Sequence, residues 1–143
     1  MPYEFLDDGV TSDVTFHAWG NSLEELFAAA ADATLNVMVR SVESVRPLET
    51  RSVSVEADEL DLLLKRFLDE LIYRKDVEEL LLRATEVRVE TAKRPHRVQA
   101  VLAGERIDPK RHELVADVKG VTLHDLRVER TEAGWDAHVT LDV

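Results

Sequence analysis

The sequence predicts an α+β domain in which a largely antiparallel sheet is covered on one face by two amphipathic helices. Two segments carry apolar residues at helical spacing. From Thr85 onward the apolar period changes to two, with polar residues between, the mark of strands buried on one face only. No low-complexity linker or internal repeat divides the 143 residues, so one domain spanning 1–143 accounts for the chain.

The first strand is Val14, Phe16 and Ala18 alternating with Asp13, Thr15 and His17. Its polar face carries an acid and an imidazole. Gly20-Asn21 ends it and Ser22 opens a helix. The Ser22 hydroxyl is placed to accept the Glu25 N–H, and Glu25 to reach back to the Ser22 N–H, as in a capping box. Leu23, Leu26, Phe27, Ala30, Val37 and Met38 form its apolar stripe. Val53 and Val55 alternate with serines in the next strand. Asp58 is the expected cap of a second helix, where Leu60, Leu63, Leu64, Phe67 and Leu71 keep the helical spacing. Asp61–Lys65 and Lys65–Asp69 are i,i+4 pairs, worth roughly 0.2–0.5 kcal/mol each.

The strand region follows: Val87 and Val89; a turn at Lys93 to Pro95; then Val98, Ala100 and Leu102. After the Asp108-Pro109 loop come Leu114, Ala116 and Val118, then Leu126 and Val128. A last turn at Ala133-Gly134 leads into Ala137, Val139 and Leu141.

Composition narrows the function. There are no cysteines, which excludes disulfides, thiolate zinc sites and cysteine nucleophiles. No apolar run is long enough to cross a bilayer. The first 39 residues contain no Lys or Arg, so no basic leader is expected and the predicted location is cytoplasmic. A net charge of −11 disfavours direct binding to a phosphate backbone. The short basic groups Arg74–Lys75, Lys93–Arg94 and Lys110–Arg111 read as solvated surface.

Familiar catalytic motifs are missing: there is no P-loop, GxSxG elbow, GxGxxG or HExxH. None of His17, His96, His112, His124 and His138 shares a helix face with another at metal-ligand spacing. His124 is in phase with Leu126 and Val128, which suits a core or sheet-edge histidine. His17 beside Asp13 reads first as a hydrogen-bonded pair.

The chain end is the unusual feature. A strand pattern, Ala137 to Val143, runs to the last residue, where most chains fray. Asp142, the terminal carboxylate at Val143 and Asp13 would together make an all-oxygen nest suited to Ca²⁺, Mg²⁺ or Mn²⁺. From composition alone, simple solvation of these acids is the commoner outcome.

Several segments, taken in order, resemble the archease family. They are Tyr3-Glu4-Phe5-Leu6-Asp7, Ser12-Asp13-Val14 and Ala18-Trp19-Gly20, then Ser22 to Phe27 closing with Asn36-Val37-Met38. Val45-Arg46-Pro47, Leu68 to Tyr73 with Asp76, Gly104-Glu105, Asp108-Pro109 and His112-Glu113 follow. Val118 to His124 resembles the most specific internal motif, and Leu141-Asp142-Val143 the family's ending. One departure stands out: Asp8 to Ser12 replaces the family's His-Thr pair, is longer by two residues and lacks the histidine, leaving Thr11 or Ser12 to supply a hydroxyl.

The resemblance implies a role: a metal-binding activator of an RtcB-type RNA ligase in tRNA splicing and RNA repair, not an enzyme in its own right. Such a protein promotes guanylylation and multiple turnover of the ligase, and meets tRNA only through it. The implied metal site is Asp13, Asp142 and Val143, with Ca²⁺ the expected ion and Mn²⁺ or Mg²⁺ as alternatives. The implied functional lysine is Lys119. Two rival readings remain: a chaperone-like adaptor without metal-dependent function, and a stand-alone metal-dependent hydrolase.

Overall fold

The computed structural model describes residues 1–6 and 13–143. Its strands are β1 (Tyr3–Leu6), β2 (Asp13–Gly20), β3 (Glu49–Ala57), β4 (Leu80–Glu90), β5 (His96–Arg106), β6 (Gly120–Val121), β7 (Arg127–Thr131) and β8 (Gly134–Asp142). Its α-helices are α1 (Leu23–Met38) and α2 (Leu60–Glu78). The strands divide between two antiparallel sheets rather than one. In the first the order is β1-β2-β8-β6, with β7 also pairing with β8; in the second it is β3-β5-β4. Each helix touches strands of both sheets, so both sheets are covered on one face, as alternation requires.

Helix α1 explains how this core is built. The predicted stripe Leu23, Leu26, Phe27, Ala30, Val37 and Met38 is buried, and so are Ala29, Ala31 and Ala33 on its flanks. Small alanines let strands approach the helix from more than one side. The Ser22 hydroxyl accepts the Glu25 N–H at 3.1 Å as expected. The return bond differs: Glu25 accepts from the Asn21 N–H at 2.6 Å, one residue earlier than a capping box would have it.

Helix α2 departs more from expectation. Its N-cap is Glu59, not Asp58, with no side-chain cap bond. Lys65–Asp69 forms at 2.7 Å. Asp61 instead accepts the backbone N–H of Val128 in β7 at 2.9 Å. Glu24, in the first turn of α1, does the same for the Val89 N–H of β4 at 3.0 Å. Each helix thus spends an early carboxylate on an otherwise unpaired strand amide, a worthier use than a surface ion pair because an unmet N–H is costly.

Strand β4 begins at Leu80, five residues before the expected start. Leu80, Leu81 and Leu82 are all buried because both helices pack near this end, so the period of two vanishes there. The expected strand at Leu114, Ala116 and Val118 is irregular: a single bridge joins Leu114 to Val39, and Leu114 and Val115 are exposed. Leu126 lies just outside β7. His124 is 73% exposed, in the turn before β7, and is not a core residue. Among the described residues no helix is long and apolar enough to cross a membrane.

Gly104 leaves no room for a side chain beside β4. A Cβ built there would stand 1.7 Å from the carbonyl oxygen of Leu81 on β4. Gly104→Ala must therefore push β4 off β5. The expected loss is about 3 kcal/mol or more, read as a lower denaturant midpoint; an unchanged midpoint would contradict this packing.

Candidate functional site

The first sheet brings together the residues that the sequence analysis selected. Strands β2 and β8 pair so that Asp13 lies opposite Asp142, Thr15 opposite Thr140 and His17 opposite His138. Residues directly opposite share a face, with Cβ atoms roughly 4.5–5.5 Å apart. This is the face away from the helices, since Phe16, Ala18, Val139 and Leu141 enter the core. On its other edge the end of β8 meets β6, where Gly120 pairs with Asp142. Lys119 immediately precedes Gly120, and its backbone N–H donates to the Asp142 carbonyl at 2.8 Å. Val143 follows Asp142 and is half-buried. Thus Asp13, Asp142, Val143 and Lys119 meet at one end of three adjacent strands.

The electrostatics of this end are set by two acids in register with each other. Glu49, Glu56, Glu70, Glu78, Asp32, Asp69, Asp76 and Asp117 all lie within ion-pair distance of a cationic side chain. Asp13 and Asp142 face each other with no such partner among the described residues, and Lys119 has none either. Like charges directly opposite across a strand pair destabilise it. A hard divalent cation would reverse the sign of that interaction, and the donor set is the carboxylate oxygen such ions prefer. Opposite Asp142, a Cβ at Gly120 would meet nothing within 4 Å, so the space beside the acid is open. The oxygen chemistry of the two acids suits a hard cation. Among the described residues no group of three or more His, Cys, Asp or Glu side chains is placed to hold a metal ion, and a third oxygen ligand would have to be a group of another kind, such as the Val143 carboxylate. Thr11 and Ser12, expected to supply a hydroxyl, lie outside the described residues.

His17 is on the same face as Asp13 but bonds elsewhere: Nε2 is 2.9 Å from Asp136, and Nδ1 is 3.5 Å from Glu4. It belongs to a separate cleft of about 280 Å³ with His138 and Arg127, whose polar groups are largely paired with one another.

Two further clusters were not apparent from the sequence. Glu105 is buried and accepts the Arg46 N–H at 2.7 Å, the Arg111 guanidinium, and the His112 ring at 3.1 Å. His112 is buried too, and its Nδ1 accepts the Asp108 N–H at 2.9 Å. Burial pushes the Glu105 carboxyl up, but these donors outweigh it and bring it down to about 2. Several of the motif residues quoted above therefore clamp a loop. The second cluster corrects an expectation: Lys75 is not solvated surface but only 8% exposed, its ammonium held by Asp117, Asp76 and the Val118 carbonyl. Arg111 is likewise engaged rather than free. Helical spacing does place Lys75 on the buried stripe, four residues after Leu71, whereas no period or motif distinguishes Arg111 from exposed Lys93 or Lys110.

Comparison with known proteins identifies the family and the fold. The sequence model of the Archease protein family (MTH1598/TM1083) matches residues 3–143. The archease of Pyrococcus abyssi is 38% identical over 134 residues, covering 93% of this chain and 94% of that one. The chain belongs to the archease family. The archease of Methanopyrus kandleri is 31% identical with both chains covered in full. The solution structure of Methanobacterium thermoautotrophicum protein 1598 superposes with a TM-score of 0.84 at 32% identity, covering 99% of each chain. An archease from Thermotoga maritima, 18% identical, shares the fold with a TM-score of 0.66 over 94% of this chain and 93% of that one.

Proposed function

We propose that this archease is a non-enzymatic, metal-binding activator of an RtcB-type RNA ligase in tRNA splicing and RNA repair. The observation that carries the reading is the unneutralised Asp13–Asp142 pair beside Lys119, at the sheet edge of an archease-family chain. Asp13, Asp142 and the Val143 carboxylate hold the cation, Ca²⁺ or in function Mn²⁺ or Mg²⁺. The bound ion would supply charge neutralisation at a nucleotide phosphate. Lys119, exposed and without an ion-pair partner among the described residues, adds a point charge for the same phosphate. Because β2, β6 and β8 fix the backbone under these groups, they are preorganised. Guanylylation of the ligase depends chiefly on positioning and charge neutralisation, so such a group acting in trans suffices to promote it. The −11 charge suits association with a basic RNA-binding partner, through which tRNA is reached.

The test is ligation with limiting ligase, excess broken RNA, GTP and Mn²⁺, with and without this protein. Sustained turnover or faster guanylylation only in its presence supports the reading. Full activation by variants lacking both aspartates would favour a chaperone-like adaptor. Cleavage of RNA or nucleotides by the protein alone would favour a hydrolase.

A further inference from the structure

We infer that Lys75 is a positioning residue for Lys119, holding the peptide unit that presents it at the candidate site. The inference rests on the activator reading only for its functional arm. The geometry centres on a single peptide group. The carbonyl of Val118 accepts from Lys75 Nζ at 2.8 Å, and the N–H of the same peptide, on Lys119, donates to the Asp142 carbonyl at 2.8 Å. In a trans peptide these two groups point in opposite directions. Helix α2 therefore holds the unit from one side and β8 from the other, which fixes the plane from which the Lys119 side chain departs.

Lys75 is suited to this task. Its ammonium has three donors and three acceptors: Asp117, Asp76 and the Val118 carbonyl. Burial lowers its pKa, but the two carboxylates outweigh that and hold it above the ordinary lysine value, so the ammonium stays charged. Val118 is fully buried and anchors the segment, whereas Lys119 is exposed and, among the described residues, is held by its backbone alone. A buried charge that ties a helix to an irregular segment is more than a surface ion pair, because removing it leaves the Val118 carbonyl without its donor.

The test uses Lys75→Met, which keeps the stem, and Asp117→Asn, which removes an exposed partner without disturbing the core. Amide hydrogen exchange is measured at Lys119 and, as a distant control, at Val98. Mn²⁺ affinity and ligase activation are measured on the same proteins. We expect Lys119 exchange to quicken by about tenfold or more in Lys75→Met and less in Asp117→Asn, with Val98 unchanged. Activation should fall by about tenfold at unchanged Mn²⁺ affinity, since Asp13 and Asp142 stand on other strands. In a Lys119→Ala background, Lys75→Met should cause no further loss of activation. Unchanged Lys119 exchange in both variants would overturn the inference. So would an equal loss of activation with and without Lys119, or parallel loss of Mn²⁺ affinity, which would mark a general structural role. If the wild-type protein fails to stimulate the ligase, the activator reading falls, and the exchange measurement alone decides whether Lys75 holds Lys119.

Discussion

Asp142→Asn, and separately Asp13→Asn, should each abolish most of the ligase stimulation while leaving the protein fully folded. The two carboxylates stand opposite each other in β2 and β8 without a cationic partner among the described residues. Neutralising either removes one unfavourable cross-strand pair, so in chelator the variants should unfold at the wild-type temperature or slightly above. With Mn²⁺ or Ca²⁺ added at a hundredfold excess over the wild-type Kd, the wild type should gain about 2.7 kcal/mol and each variant only about 0.4 kcal/mol. Loss of one charged ligand group should weaken the ion on the order of 100-fold, or about 3 kcal/mol. A variant that melts early in chelator would show that the aspartates serve the fold. A variant that gains as much stability from metal as the wild type would remove the cation from the account.

The second large effect is at Glu105, on β5 of the second sheet. Glu105→Gln should cost on the order of 3 kcal/mol, because the Arg111 and Arg46 guanidiniums and the buried His112 lose their common anion. At roughly 2–4 °C per kcal/mol for a chain near this size, that is a fall in Tm of about 10 °C. The pH dependence identifies the cause. The carboxyl is depressed in the fold from 4.5 to about 2. Its contribution is present above the unfolded value and lost as pH falls through the folded one. The stability gap between wild type and variant should therefore narrow as pH drops from about 4.5 to about 2, and remain constant from pH 5 to 7. A gap that persists unchanged at the acid end would mean that Glu105 acts through packing alone.

What could be read from the sequence divides along physical lines. Helix α1, β2 and β8 follow from strictly local rules: a serine cap, a 3.6-residue stripe and an alternation whose apolar residues enter the core, although Thr15 and Thr140 on the opposite face are buried as well. The meeting of Asp13 with Asp142 came from a family likeness in the sequence, and register explains it: the strands pair in a way that puts both chain regions at one end. The early start of β4 was hidden because Leu80 to Leu82 are buried on both faces, and a run without period reads as helix or strand alike. The split into two sheets was hidden because alternation states which face is covered, not which strands are neighbours. What Lys75, Asp61 and His112 do was hidden for a further reason. Each acts on a group distant in sequence, the Val118 carbonyl, the Val128 amide and Glu105, and a long-range partner leaves no trace in local spacing.

The most direct test of the central claim is addition of substoichiometric Mn²⁺ to ¹⁵N-labelled protein. Paramagnetic broadening falls steeply with distance, so it reports where the ion rests without reference to any activity. The account predicts that the amides of Val14, Lys119, Gly120 and Leu141 to Val143 broaden first, that Val98 to Ala100 in the second sheet remain sharp, and that Asp142→Asn removes the effect. Broadening centred on the His17–His138 cleft, or scattered over the acidic surface without a site, would contradict it.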